Sequence, residues 1–150
     1  MSKIKNNIGF GLRKVTTEQF AIIESSFEEG KAIELKASLR FGINNENKII
    51  STFFSTNLIQ EKAPFLLLEV GCHFNITEDA WLSFLNDDKS EIVIPKGFIS
   101  HLVMLTIGTA RGVLHSKTEN TPFNQFLLPT LNVNDLVQKE VVFKVNKETT

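Results

Sequence analysis

Tyrosine is missing from this chain altogether, and cysteine and tryptophan occur once each. A single thiol, Cys72, cannot build a disulfide framework within the chain. That usage fits a reducing compartment, so a cytoplasmic location is expected. Charge of one sign is equally scarce, with a net charge of -1 at pH 7. There is no basic footprint for nucleic acid or for an anionic membrane surface. Long apolar runs are lacking too. The apolar stretch from Leu102 to Ile107 falls far short of the roughly 20 residues that cross a bilayer, so no membrane insertion is expected. Met1 to Asn7 is polar and no apolar core follows it, so no secretory leader is expected.

Chemistry-bearing patterns are absent as well. No glycine-rich loop joins a strand to a helix, and no serine sits on a nucleophile elbow. Cys72 and His73 are neighbours on a strand, so they point to opposite faces and cannot share a metal. His101 and His115 share a helix face but stand about 21 Å apart at 1.5 Å per residue. No zinc-type spacing links these residues. A protein that is not an enzyme, with no metal or cofactor, is expected.

What the chain has is phenylalanine, 13 residues of it. Without tyrosine, no phenol is available to give an exposed ring a hydrogen-bonding end. The rings therefore belong to a core, or to an apolar surface that binds something greasy. The 150 residues, 42% hydrophobic and 22% charged, are ordinary for a globular domain. One domain over residues 1–150 is expected, with 1–7 as a flexible arm and 139–150 as a terminal strand or tail.

Alternation organises the first half. Ile8, Phe10, Leu12, Val15, Phe20 and Ile22 keep a period of two at each end and slip near Thr16 and Thr17, which predicts a bulged strand. Ile33, Leu35, Ala37, Leu39, Phe41 and Ile43 alternate cleanly with Glu34, Lys36, Ser38, Arg40 and Gly42. Asn44 to Asn47 is a hairpin turn by its chemistry. Ile49 to Ile59 is the return strand. Glu61 to Pro64 turns the chain again, and Phe65 to Ile76 is a fourth strand with Leu66, Leu68, Val70, Cys72 and Phe74 inward. Thr77 caps a short helix that carries Trp81 and Phe84. The fold class predicted is α+β: a four-stranded antiparallel meander with a long C-terminal helix and shorter helices on one face.

The long helix follows Pro95 and Gly97 and ends before Pro122. Ile99, Leu102, Val103, Thr106, Ile107, Ala110, Val113 and Leu114 form one broad stripe suited to a sheet. The other side carries His101, Met104, Leu105, Gly108, Arg111, Gly112 and His115, which is not an ordinary solvated face. Two glycines one turn apart each cost about 1 kcal/mol of helix propensity. Either they serve packing within the chain, or they let the backbone of another subunit come close. The second reading makes that face an oligomer interface.

Three strings carry a family resemblance. They are PFLLLEVGCHFNI from Pro64, LTIGTARGVLHSKTENTPF from Leu105 and LLPTLNVNDLV from Leu127. With Phe10, Leu12, Val15 and Thr17, they make the chain from Phe10 to Val137 resemble the SecB-type export chaperones. The resemblance implies a homotetramer, a dimer of dimers, with helices between outward-facing sheets. It implies an ATP-independent holdase that keeps unfolded preproteins in apolar grooves and passes them to a SecA-type motor. On that basis the candidate groove residues are Phe53, Trp81, Phe84, Phe98, Phe123 and Phe126. Leu67 and Glu69 fall where the family contacts its motor. The segment between the first two strands, Ser25 to Lys31, is shorter than the family's crossover loop. Two other readings stay open: an oligomeric adaptor dedicated to one partner, such as a toxin or antitoxin, and a carrier of a hydrophobic small ligand.

Overall fold

The structure is a computed structural model and describes residues 8–145. The expected arm at 1–7 and the last residues of the expected tail, 146–150, lie outside the described residues. Four long strands form one sheet: β1 (Phe10–Ile22), β2 (Glu34–Asn44), β3 (Ile49–Gln60) and β4 (Ala63–Ile76). All neighbours are antiparallel, and the order across the sheet is β1-β4-β3-β2. The strands β2, β3 and β4 make the expected meander. β1 does not extend it beside β2, and pairs instead with the free side of β4.

Local chemistry explains the joints. Asn44 accepts a hydrogen bond from the Asn47 amide and starts the β2–β3 turn. Glu61 and Lys62 both have positive φ, the pattern of a two-residue hairpin whose twist matches its strands. That turn is tighter than the predicted Glu61–Pro64 turn, so β4 begins at Ala63 and takes in Pro64. β1 slips register twice, between Leu12 and Lys14 and between Thr17 and Gln19. The slip predicted near Thr16–Thr17 is the second of these.

The second layer begins with α1 (Glu78–Phe84), followed by β5 (Glu91–Ile94) and α2 (Lys96–Thr118). A 3-10 turn (Pro122–Gln125), the short α3 (Val133–Leu136) and β6 (Val141–Lys144) complete it. β6 pairs with β5, so the predicted terminal strand forms a separate two-stranded sheet. α2 lies across β3 and β4. Its buried stripe holds Ile99, Leu102, Val103, Thr106, Ile107, Ala110 and Leu114, as the periodicity predicts, and Phe98 and Thr118 join it. Val113 is half-buried. By length and mean hydropathy α2 could cross a membrane, but its apolar stripe is occupied by its own sheet.

The helix covers the middle of the sheet and leaves the flanks thin. Leu35, Ala37, Leu39, Phe41 and Ile43 of β2 are only partly buried. On the β1 flank Leu12 is 54% exposed and Val15 41%. Both pair with core residues of β4, Phe74 and Cys72, so they face the helix side without a cover.

Candidate functional site

The outer side of α2 has little cover within the chain. His101, Met104, Leu105, Gly108, Gly112 and His115 are exposed, and Arg111 is half-buried. A Cβ built on Gly108 or Gly112 would meet nothing within 4 Å. Packing inside the chain therefore does not require either glycine. Met104 is 57% exposed and Leu105 41%.

Three of these residues have partners in their own chain. Arg111 donates from Nε to the Leu128 carbonyl at 3.0 Å and from Nη2 to the Pro129 carbonyl at 3.1 Å. These bonds tie the strip after the 3-10 turn to the helix, a role within the chain that the helix face alone did not announce. His115 sits 3.5 Å from Glu119, one turn on. Asn124 donates to the His115 carbonyl and to Thr118 Oγ1, closing the helix end. His101 lies edge-on to Phe10 at 5.6 Å.

The candidate groove rings need a larger correction. Phe53, Trp81, Phe84, Phe98 and Phe123 are all at least nine-tenths buried. A ring packed that way offers no surface to a client in this conformation. Trp81 donates its indole N–H to Asn45 Oδ1 and ties α1 to the β2–β3 turn. Phe84 and Phe98 pack together, and Phe98 also meets Phe10. Phe123 belongs with Phe27, Phe65 and Phe126. Phe126 alone of the six is half-buried.

Phe53 lies on the opposite, open face of the sheet. Arg40 stacks over its ring at 3.8 Å. Gly71 beneath it leaves the space: a Cβ there would fall 2.7 Å from the ring.

Leu67 and Glu69 share this open face. Glu69 accepts from Ser55 at 2.7 Å and from Arg40 at 3.2 Å. Burial pushes its carboxyl up, but these hydrogen bonds and the Arg40 charge outweigh it and hold the group below its ordinary value. His73, on the same strand, meets Ser51 through Nδ1 and Thr16 through Nε2. Its pKa is lowered, chiefly by burial; Glu18 opposes that shift and Lys14 adds to it.

A pH dependence follows from both groups. A His favoured neutral when folded contributes stability above its ordinary pKa, and that contribution is lost as pH falls from there through the folded value. A depressed carboxyl contributes above its ordinary pKa and is lost lower down. Urea midpoints should therefore fall in two stages on acidification, the first beginning near pH 6.5 and the second below about 4.5. His73→Gln should remove the first stage only. A variant that keeps it would assign that stage to another group.

Sequence reasoning missed several residues here. Phe27 sits in a loop with no periodicity to mark it, yet its ring lies 4.9 Å from Phe65. Gln60 fixes that loop through the amide and carbonyl of Glu28 and the carbonyl of Lys31. Leu131 and Val133 are also new, because they face α2 across a groove that also includes Met104, Ile107 and Arg111.

No protein-family model matches the chain, and no curated protein matches it. Among solved structures the chain is similar to the SecB-like chaperone Rv1957 of Mycobacterium tuberculosis, in complex with a ChAD peptide from the Rv1956 HigA1 antitoxin. The superposition has a TM-score of 0.49 at 8% sequence identity and covers 82% of this chain and 91% of that one. At that identity nothing about its activity transfers to this chain.

Proposed function

We propose that this protein is a chaperone-like binding protein for polypeptide, acting without ATP as a symmetric homo-oligomer. The observation that carries the reading is the apolar surface left open on the helix side: Leu12, Val15, Met104, Leu105 and Leu127, between 41% and 66% exposed. Scattered apolar residues are normal on a monomer. A set shared by one strand face, one helix face and the strip beside it is a surface for something else. The family resemblance of the three strings points the same way. In the proposed assembly, the flank of α2 that carries Leu105, Gly108 and Gly112, spaced three and four residues apart, packs on other subunits; the flank that carries Met104 and Arg111 stays open beside the strip and takes client with Leu12, Val15 and Leu127. A homotetramer is the form the resemblance favours.

The burial of five candidate rings favours a second reading, a dedicated adaptor. With so few rings free, binding would depend on one groove and one kind of segment. Export through a SecA-type motor is a further proposal. A basic motor docking on the open face would have to displace Arg40 from Glu69.

Binding to several chemically unrelated unfolded proteins separates the readings. A holdase should bind most of them with similar affinity, because apolar area tolerates many sequences. An adaptor should bind none. Titration calorimetry against chemically denatured, diluted proteins gives the answer directly, and uniform failure to bind would overturn the holdase reading.

A further inference from the structure

The groove beside α2 has features that no general apolar surface needs. Its volume is about 490 Å³, within the roughly 300–1,000 Å³ of ordinary ligand pockets. Met104 and Ile107 form one wall, and Leu131 and Val133 lie across from them. Among the described residues, Arg111 is the one charged residue that lines it. Its hydrogen bonds go to neutral carbonyls, and no carboxylate lies within ion-pair distance of it among the described residues. The cation is therefore oriented but not neutralised. The opposite wall is the non-helical segment Thr130–Asn132 and the start of α3. Among the described residues, the backbone N–H and C=O of Thr130 and Leu131 make no hydrogen bond.

We propose that this groove binds an extended peptide segment bearing an apolar side chain and, two residues away, an acidic one. Side chains two apart on an extended chain share a face and are about 6.7 Å apart. Ile107 and Arg111 are four residues apart on α2, about 6 Å of helix rise. A leucine seated against Ile107 thus brings a glutamate two residues on to the Arg111 guanidinium. The open backbone groups of Thr130 and Leu131 pair with the segment as a strand edge would. The proposal rests on the polypeptide-binding reading only in taking its occupant to be a peptide.

Short capped, dye-labelled peptides in a Gly/Ser background test it against the full chain by fluorescence anisotropy. One has Leu-Ser-Glu at its centre, one Leu-Ser-Gln and one Ser-Ser-Glu. The first should bind tightest, and loss of the carboxylate should weaken binding about three- to fivefold. High salt should erase that difference. Arg111 also holds the strip in place, so the protein variant of choice is Met104→Asp, at an exposed position. It sets a negative charge in the wall and should abolish the preference for glutamate. Equal binding of the Glu and Gln peptides, an unchanged preference in Met104→Asp, or no binding of any of the three overturns the proposal. Unfolded proteins assayed in parallel separate the two readings. Their binding without a peptide preference overturns the groove proposal alone. A peptide preference without their binding supports the groove and overturns the holdase.

Discussion

Gly108→Leu should make the isolated subunit more stable and the assembly smaller. Within the chain the substitution meets open space. Replacing a mid-helix glycine with leucine recovers about 0.5–1 kcal/mol of helix propensity. In an interface where two helix backbones approach, the same side chain overpacks, at a cost of typically about 1–3 kcal/mol. A closed symmetric assembly meets that cost at every related copy. Sedimentation should therefore show a shift toward dimer or monomer while the far-ultraviolet spectrum is kept and the urea midpoint of the dissociated chain rises. Two opposite signs from one substitution are hard to obtain any other way. A particle of unchanged mass with a raised midpoint would mean that the glycine face is open to solvent in the working protein. Outright unfolding would mean that the helix seat itself is different.

Three threonines facing α2 from β3 and from the helix itself give the second large effect. Thr52 and Thr106 are fully buried and hydrogen-bonded to each other. Thr106 also donates to the Leu102 carbonyl at 2.8 Å, so it accepts from Thr52. Thr106→Val strands the Thr52 hydroxyl in the core, which costs about 1–3 kcal/mol. Thr52→Val leaves Thr106 its bond to Leu102 and should cost less. Replacing both removes donor and acceptor together and should come out close to neutral. Thr56, two alternations further along β3, is 1% exposed and its hydroxyl has no partner among the described residues. Thr56→Val should raise stability, by about 1–2 kcal/mol. Urea midpoints of the four variants test the order. Additive losses for Thr52→Val and Thr106→Val would show that the pair does not act as a unit.

These threonines also mark where sequence reasoning stops. Alternation located β2 and β4 because their apolar rows are regular, and the stripe on α2 chose its buried face correctly. Nothing in the residues of β1 told it to pair with β4, since that contact closes over more than 40 intervening residues from Ile22 to Leu66. The candidate rings failed for a related reason. Phe84, Phe98 and Phe123 are as apolar as any surface ring would be, and their exposure depends on which element arrives over them. Arg111 was read from its helix face alone. Its carbonyl partners lie 17 and 18 residues away, in a strip whose path no local pattern announces. Thr52 and Thr56 look alike in sequence and differ only in whether Thr106 lies opposite.

The two register slips of β1 have a consequence for how this chain behaves in concentrated solution. β1 and β2 are the outer strands of the sheet, and a long regular outer strand is a template on which further chains can stack as fibrils. A chain that also leaves leucine and valine uncovered runs that hazard twice over. In β1 the slips at Leu12/Lys14 and Thr17/Gln19 break the even spacing of donors and acceptors that a stacking strand must match. β2 keeps its register throughout and is guarded differently, by Glu34, Lys36 and Arg40, which are exposed along one face. Straightening β1, more than neutralising any single charge, is the change that would turn this sheet into a seed.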